Sequence, residues 1–136
     1  MPFAELNYIA ILAAAAASFA AGAVYYGVLG KRWMAALGKT EEEVKAGMNP
    51  AIYGVAAVCQ LVLAFMLAAI LAHFSPDALT VGNALVSALL LWLGFVMTTM
   101  TVNHRFQGQP WSLTLIDGGH WLVGMLLQGV VLASIG

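Results

Sequence analysis

Asp117 and His120 have the clearest capacity for chemistry, because they lie one helical turn apart near the start of Leu113 to Gly136, a run apolar and long enough to cross a bilayer. At i, i+3 spacing the carboxyl and the imidazole share one side of a helix, and Gly124 and Gln128 continue that side. An ionisable group within a span costs roughly 3 kcal/mol on insertion scales, so it calls for a use or a partner. One reading is a proton or small-cation site, with the two groups about 6 and 10 Å below the helix start. The other is structural: Asp117 pairs with Arg105 across the preceding turn, and His120 stays neutral against a carbonyl or a threonine. At similar depth on other helices stand Tyr25, Tyr26, Tyr53, Thr98, Thr101 and Asn103. Asp117, His120, Gln60, Thr98, Thr101, Asn103 and Arg105 together form a candidate polar pocket that opens toward the cytoplasm.

Other chemistries have less support. Carboxylate-bridged metal bundles take a Glu-x-x-His motif from each of two helices plus further glutamates, and this chain offers one Asp-x-x-His, so no metal is expected. His73 and His120 differ too much in depth to sandwich a haem, and no Ser-His-Asp or Cys-His set can be placed. Neither a cofactor nor an enzymatic activity is expected. The single cysteine, Cys59, reads as a small buried side chain in an apolar run. A net charge of −1 and a pI near 6.2 provide no basic face for nucleic acid.

The elements that must position these residues are membrane spans. Of 136 residues, 62% are hydrophobic and only 8% charged, with a mean hydropathy of +0.92, whereas soluble domains run near a quarter charged. Lipid provides no hydrogen-bond partners for a backbone, and the long apolar runs lack the alternation of barrel strands, so the spans are helices. Four fit, in one all-α bundle that makes a single domain over residues 1–136.

The first span is expected over Leu6 to Leu29 as a retained anchor, since cations follow it and none precede it. Lys31 to Leu37 reads as a short interfacial piece with Trp33 in the aromatic belt, ended by Gly38. Thr40-Glu41-Glu42-Glu43 has the form of a capping box and predicts a short helix to about Ala46, a solvated helix start more than a cation site. Asn49-Pro50 starts the second span, which runs to about Phe74 and carries Gln60 near mid-bilayer, where its amide needs a partner on another helix. Ser75-Pro76-Asp77 repeats the start signal, with Ser75 as cap. The third span is expected from about Leu79 to Val102, with Asn83, Ser87, Gly94, Thr98, Thr101 and Arg105 on one side facing the bundle. A turn through Trp111 leads to the last span, with Ser112 as a possible cap. No internal repeat is evident.

All five Lys and Arg residues fall in the first and third connections, so the positive-inside rule puts both termini on the non-cytoplasmic side of what is expected to be a bacterial inner membrane. Trp33-Met34, Leu37-Gly38-Lys39-Thr40-Glu41-Glu42, Gly94-Phe95-Val96-Met97-Thr98-Thr99, Asn103, Phe106 and Ile116-Asp117-Gly118-Gly119-His120 resemble the bacterial four-helix membrane family called domain of unknown function 1761. The resemblance covers nearly the whole chain and implies the fold and the membrane location, with no activity attached.

Two functions follow as expectations. The first is a non-enzymatic membrane component, a homo-oligomer or a subunit of a larger complex. It would associate through small residues of the first span, Ala14, Ser18 and Gly22, which extend a stripe from Ala10 that lets another backbone approach closely. The second is a small proton or ion carrier or channel built on Asp117 and His120. Membrane lipid is the common partner of both.

Overall fold

The computed structural model describes residues 3–74 and 79–136. After a short turn at Phe3–Glu5, helix α1 runs without a break over Tyr8–Leu37. Asn7 caps it by accepting from the Ala10 amide at 3.0 Å. Gly38, at φ 71°, closes the other end: its N–H donates to Ala35 and that of Lys39 to Met34, a pairing that needs the left-handed conformation glycine adopts freely. The expected break between Leu29 and Lys31 is therefore absent. Thirty residues make a helix of about 45 Å, longer than the hydrocarbon core, so the segment from Lys31 is the same helix continuing past the bilayer.

Helix α2, Glu41–Gly47, begins with the expected capping box, in which the Glu43 amide donates to Thr40 Oγ1 at 3.2 Å and the Thr40 amide to Glu43 Oε1 at 3.3 Å. Helix α3 covers Pro50–Phe74, with Asn49 Oδ1 accepting from the Ala51 amide at 2.9 Å. Ser75, Pro76 and Asp77, the expected start of the third span, lie outside the described residues. That span begins instead at Val81, where Thr80 Oγ1 accepts from the Asn83 amide at 3.1 Å. It has three parts: α4 (Val81–Leu91), a π-helical segment (Trp92–Met97) and α5 (Thr98–Phe106). A second glycine turn at Gly108, φ 70°, leads to α6, Trp111–Ile135. Ser112 is not its cap. Extended Pro110 holds that position, which starts the helix two residues earlier than Ser112 would.

Four helices are long and apolar enough to cross a membrane, and α6 is the one the others share. It packs along α1 on one side and α4 on another, while α1 also packs on α3. The core joins Ala10, Ile11, Ala14 and Ala15 to Leu67, Leu71, Ala84, Ala88, Met125 and Leu132. Small residues permit the contact: a Cβ on Gly129 would sit 3.2 Å from the Ala84 carbonyl oxygen. In lipid, close approach of this kind is a principal source of helix association.

Three expectations change here. Ala10, Ala14 and Ser18 are all 0% exposed within this one chain, so that part of the first-span stripe is already covered by α3 and α6, while Gly22 is half-buried against His120. The polar stripe of the third span faces the bundle only in part: Asn83, Gly94 and Thr98 are exposed, Ser87, Thr101 and Arg105 are half-buried, and Ala84 and Ala88 are the buried residues. The π segment is one cause, because its extra residue per turn puts the residues after Met97 out of phase with those before Trp92. The other is that Thr98 and Thr99 satisfy their hydroxyls on carbonyls of their own helix, Gly94 at 2.9 Å and Phe95 at 2.7 Å, and need no partner across the bundle. Cys59 is exposed, not buried, because α3 turns Gln60 and Ala64 inward.

Candidate functional site

Seen from α6, the seam with α1 carries the polar groups. Asp117 lies about 9 Å into the helix by rise from Trp111. Its Oδ1 accepts one hydrogen bond, from the Tyr26 hydroxyl at 2.6 Å. The neighbouring Tyr25 donates to the Ile116 carbonyl at 2.6 Å, so two adjacent tyrosines of α1 clamp the same turn of α6. His120 makes tilted and edge-on ring contacts within this group, its ring centroid 4.8 Å from Tyr26, 5.7 Å from Tyr25 and 4.7 Å from Trp121. Two glycines make the room. A Cβ on Gly22 would lie 2.7 Å from His120 Nε2, and one on Gly119 would lie 2.5 Å from the Tyr25 hydroxyl.

The seam leaves two facts unbalanced. Asp117 has no cationic partner among the described residues; the one ion pair there, Lys45 to Glu41 at 3.1 Å, is on the exposed α2. His120 Nδ1 is buried with no hydrogen-bond partner. Arg105, the expected partner of Asp117, is engaged elsewhere. Its Nη2 donates to the Gln109 carbonyl at 3.1 Å and to Thr114 Oγ1 at 2.8 Å, while its guanidinium lies 3.7 Å above the Trp111 ring. The glycine turn causes this by folding the end of α5 onto the first turns of α6, short of Asp117.

The other candidates separate. Gln60 does find the interhelical partner its depth requires: its Oε1 accepts from the Ser18 hydroxyl at 2.8 Å and from Gln128 Nε2 at 3.1 Å. This knot of three helices lies deeper along the same seam, two helical turns beyond His120. Thr98 is exposed, Thr101 is half-buried without a recorded bond, and Asn103 and Tyr53 are exposed. The structure thus joins Asp117 and His120 with Tyr25 and Tyr26, puts Gln60 in a separate knot, and brings Thr98, Thr101, Asn103 and Arg105 to neither. Sequence reasoning missed Ser18 as a polar partner, having read it only as a small packing residue. It also missed Thr114, which joins Arg105 to His104, and Trp92, whose indole N–H donates to the Gly118 carbonyl at 2.8 Å.

A family profile described as a protein of unknown function (DUF1761) matches residues 9–133. The chain belongs to the DUF1761 family. No curated protein and no solved structure matches it.

The matched stretch of this DUF1761 chain takes in all four spans, the tyrosine clamp and the Gln60 knot. Chemically, the seam holds one carboxyl with a single hydroxyl donor and one imidazole with a free nitrogen, a set suited to taking up and releasing a proton. Among the described residues no three His, Cys, Asp or Glu side chains gather as a metal-binding group. The DUF1761 seam is also closed at one end, because beyond the Gln128 knot Ala10, Ala14 and Leu132 fill it.

Proposed function

We propose that this DUF1761 protein is a small, non-enzymatic proton carrier of the membrane that loads at Asp117, with Tyr26 and His120 as its immediate partners. The observation that carries the reading is the lack of a counter-ion: a carboxyl group within a span that accepts only the Tyr26 hydroxyl is held there at a cost no pairing offsets. His120, one turn deeper with Nδ1 free, gives a proton a second stopping place. The sealed far half of the seam favours a carrier that changes shape over a standing channel. Purified protein in vesicles containing a pH-sensitive dye, driven by a potassium diffusion potential, tests this. Proton flux above that of empty vesicles, abolished in Asp117→Asn and reduced in Tyr26→Phe with folding unchanged, is the expected result. Flux equal to empty vesicles, or an Asp117→Asn variant as active as the wild type, sinks it.

A second reading, an accessory or oligomeric subunit, rests on the third span. Only 6% of its apolar window is buried by the rest of the chain, against 33% for the first and last spans. A partner would cover that face, not the small residues of α1. Cysteine pairs placed at Leu90 and Leu93 should crosslink between chains in membranes if the partner is a second copy, and a clean monomer there removes the homo-oligomer.

A further inference from the structure

Helix α3 touches α4 but does not pack along α5, leaving between α3 and the third span a cleft of about 510 Å³ that is open on the outside of the bundle. Small-molecule sites span roughly 300–1,000 Å³. The inner part of the cleft is apolar, with Leu63, Val96 and Met100 in its walls and the Trp121 ring also lining it; its mouth is polar, with Asn103, His104 and Gln107. No charged side chain lines it.

The direction of one hydrogen bond decides what the mouth presents. Arg105 can only donate, so Thr114 Oγ1 accepts from it at 2.8 Å. Thr114 is 0% exposed, and the one acceptor within reach of its single hydroxyl hydrogen among the described residues is His104 Nδ1, 2.7 Å away, so the buried hydroxyl donates to that nitrogen. With Nδ1 accepting, the imidazole carries its hydrogen on Nε2, and a doubly protonated ring carries one there as well. Nε2 has no protein partner and belongs to a ring that lines the cleft, so His104 offers a donor at the mouth, held in place through Thr114 by Arg105. The Asn103 and Gln107 amides stand beside it.

We propose that this cleft is a binding site for a membrane quinone, its ring carbonyl accepting from His104 Nε2 and its isoprenoid tail lying along Leu63, Val96 and Met100. The chemistry follows from the lining. The nearest cation, Arg105, is turned to Thr114 and Gln109 and does not line the cleft, which suits a neutral carbonyl and leaves the phosphate of a phospholipid without a counter-ion in the lining. Phe95 and Trp121 supply ring faces for a flat head. The opening on the outside of the bundle admits a ligand dissolved in the bilayer.

Cys59 lines the cleft and is the only cysteine in the chain, so it reports occupancy without engineering. The test uses wild-type protein in phosphatidylcholine nanodiscs, titrated with a fully substituted decyl benzoquinone. Two signals are read: tryptophan quenching and the rate at which a membrane-permeant maleimide labels Cys59. The expected result is saturable quenching, mostly lost in Trp121→Phe, with Cys59 labelling slowed several-fold over the same concentration range. His104→Leu should weaken binding about tenfold, and His104→Gln, which keeps a donor, by less. Because His104→Leu also removes a contact to Thr114, Thr99→Phe is the second variant. It adds bulk at an exposed wall position and should block both signals while the melting temperature stays unchanged. Linear, unsaturable quenching that Thr99→Phe does not alter overturns the site. Cys59 protection that rises with protein concentration in the absence of quinone also overturns it, because a second copy of the chain then covers the cleft.

Discussion

Gln128 makes as many hydrogen bonds as any other side chain of the core, yet the structure predicts that Gln128→Leu is the milder of two substitutions in the same knot. Its Nε2 lies near three acceptors, Ser18 Oγ at 2.9 Å, Gln60 Oε1 at 3.1 Å and the Gln60 carbonyl at 3.3 Å. That nitrogen has only two hydrogens, so about two bonds are lost, and interhelical bonds in membranes average about 0.6 kcal/mol each. The loss is about 1.2 kcal/mol. Against it stands Gln128 Oε1, which is buried with no partner. An orphaned acceptor costs about 1–3 kcal/mol, and leucine removes it while filling nearly the same space. The net change runs from about neutral to about 2 kcal/mol stabilising. Gln60→Leu also loses two bonds into its Oε1, but it relieves nothing, and the Ser18 hydroxyl hydrogen is left with the Ala15 carbonyl at 3.1 Å as its acceptor while its oxygen keeps the bond from Gln128 Nε2. It should cost about 1 kcal/mol. Unfolding in mixed micelles titrated with a denaturing detergent, followed by tryptophan fluorescence, ranks the two. Gln60→Leu more stable than Gln128→Leu, or Gln128→Leu destabilised by more than about 2 kcal/mol, would mean that the carbonyl has a partner and the reasoning is wrong.

Three further outcomes follow from particular contacts. Gly118→Ala drives a methyl into Met97 Sδ and should cost about 1–2 kcal/mol in the same assay; a double-mutant cycle with Met97→Ala should show coupling of about 1 kcal/mol, and strict additivity would refute the contact. Thr40→Ala removes the capping-box acceptor, worth about 1 kcal/mol locally, so amide exchange across 41–47 should speed several-fold without a shift in melting temperature. Gly22→Leu meets His120 inside the seam, so it should yield chain that fails to fold; a well-folded variant would show that α1 and α6 are not packed there.

Whatever depends on one segment alone was legible in the sequence. Length and hydropathy mark four spans, and Thr40 with Glu43 and Asn49 with Pro50 mark helix starts, because a cap involves neighbours within a few residues. What two segments decide together was not. The π segment has no local signature. Its i→i+5 pairing brings Trp92 and Met97 to one side of the helix, so that both reach Gly118, and the reason for it therefore lies on α6. Charge alone suggested Arg105 for Asp117, but the glycine turn assigns Arg105 to Thr114 and leaves Asp117 to Tyr26, one of several aromatic residues at similar depth. The small-residue stripe of α1 was visible as a packing surface, and nothing in its composition says whether the helix it meets belongs to the same chain.

The central place of α6 also bears on how the protein is made. Spans leave the insertion machinery in chain order, and the helix that the other three share is made after them. While it is still in the ribosome, α1 can pair with α3. Ser18 and Gln60 can already meet, but Ala84 has no Gly129 to pack on and Trp92 has no Gly118 carbonyl to reach. The third span must therefore wait in lipid with only its slight contact to α3, its π segment unsupported, until Trp111–Ile135 arrives. A ribosome stalled before residue 111 would hold a chain that membrane proteases can recognise by its poorly covered third span, and the Asn7 side chain can reach the Ile135 carbonyl, 3.4 Å away, only once residue 135 has been made.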